Sequence, residues 1–297
     1  MEDVLSTTAD IFRKAPGQIP SGKTPTEQRR PSILLTAFLG VFAAIWLFPF
    51  LWTFLSALKT PSEISAGVWS LPRSLSWGNF ARAFESLRYL HTLRNSLIVA
   101  VSTAALQCAT GSLAGFAFAR MRFPGRDLIF TLFVATLMIP TTVTLTANYL
   151  ILSSLGWLDT FLALIIPQGA SGFSIFLMRQ FFKTIPNELE DAARIDGAGR
   201  IRFLRSIAVP LAKPALSTVF VFIFITNYNE FLWPLIMTNS ESIRVIQIQM
   251  DRLTGEFGVL DYGALMSASI LVLAPTIVMF VLLQRAFIRG ITKTGFQ

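Results

Sequence analysis

The sequence predicts an all-α, polytopic membrane protein with six transmembrane helices, and three observations carry that reading. Of its 297 residues, 53% are hydrophobic and only 14% charged, against about 25% charged in an ordinary soluble domain. Mean hydropathy is +0.59 and 27 residues are Phe; a soluble fold of this length could not hide so much apolar surface behind so few charges. The apolar residues fall in runs of about 20 or more, enough to cross a ~30 Å hydrocarbon core. The basic residues, finally, gather in alternate connections between those runs.

Residues 1–31 are polar, of mixed charge, and contain Pro16, Pro20, Pro25 and Pro31. They lack the apolar centre of a signal peptide and read as a cytoplasmic N-terminal tail. A membrane domain follows over 32–297, with crossings at about 32–58, 95–119, 128–152, 158–182, 215–237 and 262–287. Pro140 breaks the third run and Pro167 interrupts the fourth, as membrane helices tolerate where neighbours satisfy the freed backbone groups. Gly111-x-x-x-Gly115 in the second predicts close helix packing. Eighteen of the 25 Lys and Arg lie in the tail, the 120–126 turn, the 179–213 segment and the C-terminal end. That bias places both termini in the cytoplasm.

Rare residues exclude other chemistries. The single cysteine, Cys108, cannot form an internal disulfide, and the single histidine, His91, excludes zinc or catalytic sites needing two imidazoles. The net charge of +8 reads as a positive-inside bias, with no nucleic-acid partner. Gly17–Thr24 matches G-x-x-x-x-G-K-[ST] letter for letter. No strand run precedes it, however, and Pro25 and Pro31 curtail any helix after it, so the strand–loop–helix that gives this motif its phosphate affinity is missing. The chain is expected to bind no cofactor and to hydrolyse no ATP.

The cytoplasmic connection at 183–213 is the most informative segment. Pro186 suits a helix start, and Glu188, Glu190 and Asp191 place negative charge at its positive end. Leu189, Ala192 and Ala193 share one face, and Gly197 can take the left-handed geometry that stops the helix. A second short helix follows, with Ile201, Leu204 and Ile207 as its apolar set, and Pro210 and Pro214 return the chain to the bilayer. The result is a helix–turn–helix with small residues open to close approach. Glu190, Asp191 and Asp196 would be repelled by anionic lipid, so a docking surface for a protein fits better than a loop lying on headgroups.

The spacing Asp191-Ala192-Ala193-x₃-Gly197-x₉-Ile207-x-Val209-Pro210 resembles the EAA loop of ABC importer membrane subunits, with Asp191 for Glu and Val209 for Leu. Gly115–Gly125, Asn95-Ser96-Leu97, Asn229–Leu235 and Gln284–Gly290 are similar to the carbohydrate-uptake, maltose-type permeases, and specifically to the shorter, six-helix member of a heterodimeric pair. The resemblance covers about residues 33–290. It implies an ABC type-I importer transmembrane domain in a bacterial cytoplasmic (inner) membrane. Its partners would be an unlike permease subunit, two ATPase subunits carrying ATP and Mg, and an extracytoplasmic solute-binding protein. It also implies that Glu190, Asp191, Ala192, Ala193, Asp196 and Gly197 couple the chain to the ATPase.

Ionisable groups within spans are costly and point to function. Glu230 is the acid placed well inside a predicted crossing, beside Asn227, Tyr228 and Asn229. These four residues and Trp233 can supply hydrogen bonds and an aromatic face to a sugar, or can equally clamp helices together. A gradient-driven secondary transporter is the rival reading. It calls for several buried titratable groups or inverted repeats, whereas Glu230 stands nearly alone.

Overall fold

The computed structural model describes residues 33–67, 69–255 and 261–294, and every regular element among them is helical. The phosphate-loop look-alike at 17–24 lies outside the described residues. Contacts divide the chain into a unit ending at Pro49 and a second from Phe50 onward. In the first, residues 33–49 of α1 (Ile33–Ala57) are exposed throughout. Its sequence is apolar all round, so its natural solvent is lipid or another apolar surface.

The second unit is organised around α4 (Tyr89–Arg120), which at 32 residues is about 48 Å long and exceeds the hydrocarbon core. α4 packs along α8 (Gly172–Thr184) and α12 (Lys213–Tyr228), and α12 in turn along α15 (Tyr262–Thr294). The Gly111–Gly115 pair makes the α4–α8 approach possible: a Cβ on Gly115 would lie 2.7 Å from Met178 Cβ, and one on Gly111 3.1 Å from Ser174 Cβ. Phe116, Met178, Phe182, Phe203, Phe224 and Tyr228 form the buried centre between these helices.

Three described helices are long and apolar enough to cross a membrane alone, and five segments are if each of two bent pairs counts as one. The Pro140 break separates α5 (Arg126–Ala135) and its 3₁₀ extension (Thr136–Met138) from α6 (Thr141–Ser154) with a bend of 103°. The Pro167 break separates α7 (Phe161–Ile165) from α8. The expected continuous helix over 215–237 is corrected: α12 stops at Tyr228 and α13 (Leu232–Met237) restarts after an interruption. Pro234 explains the break. A continuous helix would need a Pro234 N–H bonded to the Glu230 carbonyl, which proline lacks, and its ring would clash with that carbonyl.

At the end opposite the 187–208 hairpin, short helices unforeseen in the sequence tie the connections together: α2 (Pro61–Ala66), α3 (Gly78–Ser86) and α14 (Ile246–Gly255). Asn79 donates to Ala57 O and Lys59 O, both at 2.7 Å, and Asn95 to Ser242 O and Arg244 O. Thr60 and Glu63 form a capping box at the start of α2, and Glu63 also accepts the Arg73 and Ser74 N–H groups. The Thr60 and Arg73 amides hold the Glu63 carboxyl below its ordinary range. A depressed carboxyl stabilises the fold above its unfolded pKa, and the benefit fades as pH falls through the folded value. The stability gap between wild type and Glu63→Gln is therefore expected to be constant around neutral pH and to close below the ordinary carboxylate range, read by thermal melts across pH.

Candidate functional site

Two features stand out, one at the hairpin end and one within the membrane-spanning region. In the hairpin, Pro186 caps α9 (Asn187–Ile195), Glu188 and Glu190 occupy its first turn and Arg194 its last, each charge matched to the helix dipole. Gly197 sits at φ +75°; its N–H bonds Arg194 O and the Ala198 N–H bonds Ala193 O at 2.8 Å, a left-handed stop that few other residues adopt cheaply. The chain then runs through α10 (Arg200–Phe203), a π-helical turn (Leu204–Ala208) and α11 (Val209–Leu211), bending by 76° into α12.

The inward side of the hairpin joins the main core through Ala193, Phe203, Leu204 and Ala208. Arg120, at the end of α4, pins it electrostatically. Its Nη2 donates to Phe182 O at 2.7 Å and also to Ile185 O, and its Nη1 donates to Asn187 Oδ1. Glu190 Oε2 lies 3.8 Å from the same Nη1. Arg120 thus caps the C-terminal carbonyls of α8 and the first turn of α9 with one side chain. Arg179, largely buried, reinforces this end by reaching Asp127 Oδ1 at 3.1 Å and stacking on Phe130.

The structure divides the expected coupling residues. Asp191, Ala192, Asp196 and Gly197 are exposed on the outer side. Glu190 is largely enclosed, held between Arg120 and Arg194. Ala193 faces the chain's own core instead of an incoming surface, because its position completes the seat against Phe203 and Leu204. Sequence reasoning missed the apolar part of the outer face: Ile195 is 87% exposed and Ile201 75%. Of the apolar set Ile201, Leu204 and Ile207, Leu204 is buried and Ile207 packs half-buried on the core, whereas Ile201 points outward. An isoleucine between Arg194 and Asp196 was the available signal.

The second feature is a cavity of about 270 Å³ where all three helix interruptions meet. Gln107 from the middle of α4, Thr144 and Asn148 from α6, Ser171 before α8, and Glu230 and Trp233 from the α12–α13 break line it. The side chains of α4 repair the α7–α8 break. Gln107 Nε2 donates to Gln168 O at 2.6 Å, Thr110 Oγ1 to Gly169 O at 2.8 Å, and Ser171 Oγ to Gln107 Oε1 at 2.7 Å. These bonds let backbone carbonyls face the membrane interior without going unpaired.

Of the four residues expected near a solute, Glu230 alone lines this cavity. Its Oε1 accepts the Trp233 N–H at 3.3 Å, while Trp233 Nε1 donates to Ala163 O. Tyr228 is buried, stacks on Phe224 and donates to Val272 O at 3.0 Å, which clamps α12 to α15. Asn227 turns back on its own helix to Ile223 O, and Asn229, exposed, donates to Ile225 O. Residues 227 and 228 fall on the packed face of α12, so the helical turn that places them carries them away from the cavity.

Helices interrupted around a cavity that Gln107, Asn148, Ser171 and Glu230 help to line, with an anchored hairpin projecting from one end, are the frame of a membrane transport subunit. The chain belongs to the family described as binding-protein-dependent transport system inner membrane component, whose profile matches residues 109–293. It is similar to the lactose transport system permease protein LacG of Rhizobium radiobacter, at 32% identity over 90% of this chain and 97% of that one. It is 35% identical to the sn-glycerol-3-phosphate transport system permease protein UgpE of Brucella abortus (strain 2308), covering 90% and 99% of the two chains. Its fold matches a chain of a bacterial ABC transporter involved in the import of the acidic polysaccharide alginate, with a TM-score of 0.77, 23% identity, and coverage of 86% of this chain and 95% of that one. The protein is an inner-membrane permease subunit of an ABC importer. ATP hydrolysis belongs to a separate ATPase subunit, and a solute-binding protein completes the system.

Proposed function

We propose that the chain passes a carbohydrate or related polar solute inward as one half of a heterodimeric channel, paired with an unlike permease subunit. Two ATPase subunits carrying ATP and Mg dock on the hairpin, and this chain binds no cofactor itself. With the six crossings that the sequence predicts, both termini and the hairpin would lie in the cytoplasm, as the positive-inside bias also requires. The observation that carries the reading is the hairpin's split character: an outer face of Asp191, Ala192, Ile195, Asp196 and Ile201, and an inner face locked to α4 and α8 through Arg120. Ile195 and Ile201 are the apolar side chains on this charged element that a docked protein would bury. ATP-driven closure of the ATPases moves the docked hairpin, and the locked inner face hands that motion to the helices. The Glu230 cavity lies on the solute path.

A tagged pull-down from native membranes in mild detergent tests this directly. The expected result is recovery of a second permease and an ATPase, with ATP hydrolysis. Ile195→Asp, or charge reversal at Asp191 and Asp196 together, is expected to weaken ATPase retention by about tenfold or more, the cost of losing a buried apolar anchor. Recovery of the chain alone, without ATPase activity under conditions that preserve a control complex, would overturn both the docking of ATPases on this hairpin and the pairing with an unlike permease.

A further inference from the structure

We infer that the cavity between the three helix breaks is a subsite for a neutral, polyhydroxylated solute, and that Glu230 makes it exclude phosphate esters and carboxylates. The inference rests on the reading that this cavity lies on the solute path. Among the described residues its lining contains one carboxylate and no Lys, Arg or His, so no cation among them neutralises an anion there.

The hydrogen-bonding inventory points the same way. Gln107 is committed at both ends, to Gln168 O and to Ser171 Oγ. Thr144 donates to Thr141 O and Asn148 Nδ2 to Thr144 O. Capacity for a ligand is left on both sides of the hydrogen bond: Oδ1 of Asn148 and Oε2 of Glu230 accept, since Glu230 engages Trp233 through Oε1, and the Thr141 hydroxyl and Gln168 amide, which also line the cavity, can donate. Such a mixed set suits a polyol or sugar ring, whose hydroxyls both donate and accept, whereas an acceptor-only phosphate dianion has nothing to offer the Glu230 carboxylate. Trp233 is fixed by two hydrogen bonds, through its backbone N–H and its Nε1, and so presents an indole of set orientation at the wall. The size, about 270 Å³, is just below the 300–1,000 Å³ of whole small-molecule pockets and suits part of a solute.

A fixed negative charge about 6 Å away at an effective dielectric of 20–40 disfavours an incoming anion by about ten- to a hundredfold. The test uses the assembled importer, with its partner subunits and binding protein, in proteoliposomes. Asn148→Cys in a Cys108→Ala background is treated with cationic 2-(trimethylammonium)ethyl methanethiosulfonate and with anionic 2-sulfonatoethyl methanethiosulfonate, rates being normalised to a free thiol. The cation should react about tenfold faster or more, and Glu230→Gln should bring the ratio close to one. Equal rates, or a faster anion, overturn the charge selection while leaving the solute path in place. Reaction with neither reagent means that the assembled complex seals the cavity, and the path reading falls with the subsite. In parallel, uptake of sn-glycerol 3-phosphate in preference to lactose by the wild-type importer would overturn the exclusion of anions.

Discussion

Arg120→Ala is expected to leave the importer able to bind ATP yet unable to use it for transport. The Arg120 side chain is only 7% exposed and serves two helices at once, through Phe182 O and Ile185 O at the end of α8 and Asn187 at the start of α9. Truncation strands those carbonyls and leaves Glu190 facing only Arg194. Stranding buried acceptors and a partly enclosed carboxylate costs about 2–4 kcal/mol of local stability. The hairpin should then move without its helices. Uptake is expected to fall about tenfold or more, the scale of an ordinary coupling free energy, while ATP hydrolysis continues. Arg120→Lys keeps the charge but loses the planar fork that reaches several acceptors, so it should recover only part of the uptake. Uptake and hydrolysis measured on the same proteoliposomes decide the matter: an unchanged ratio in Arg120→Ala would show that the hairpin is held by its apolar seat alone.

Gly115→Ala is expected to destabilise the protein where Gly111→Ala does not. Both substitutions improve helix propensity by about 1 kcal/mol, so the sign depends on space. At Gly115 the new Cβ would meet Met178 Cβ at 2.7 Å and the Arg179 backbone nitrogen at 2.9 Å. Backbone on a packed helix cannot step aside as a flexible side-chain end can. Overpacking of that kind costs about 1–3 kcal/mol and outweighs the propensity gain. At Gly111 the nearest atoms, Ser174 Cβ and the Ser174 backbone carbonyl, lie at 3.1 Å, so a shift of the helix by a few tenths of an ångström is enough to relieve the crowding, and the two terms nearly cancel. Gly115→Leu should fail to yield folded protein. Melting of the purified chain in detergent, compared between the two alanine variants and the wild type, tests the order, and equal melting of the two alanine variants would refute it.

Much of the hairpin was legible in advance because its signals are local. Pro186 as a helix boundary, acids in the first turn and Gly197 at positive φ each follow from backbone constraints acting within a few residues. The exposure of Ile195 and the inward turn of Ala193 were not. A nine-residue helix can present either face to its neighbours, and Phe203, Leu204 and Arg120 decide which, two of them from beyond a turn and one from the far end of another helix. The membrane-spanning region divides in the same way. Hydropathy reports the apolar runs, and a missing N–H makes each proline a candidate break, but α1 and α15 run on through Pro49 and Pro275.

Where the broken ends meet is another matter. Tyr228 and Glu230 are two residues apart, yet one locks α12 to α15 and the other borders the cavity. That separation arises because the helix ends between them, and because Gln107 and Thr110 on a distant helix satisfy the carbonyls of the α7–α8 break. Composition and periodicity are sufficient for the solvent and the class of fold, both of which depend on residues and their near neighbours. The convergence of three interruptions on one cavity, and the anchoring of the hairpin to α4 and α8 by Arg120, arise from contacts 60 or more residues apart in the chain. Only packing against the rest of the molecule can bring those partners together.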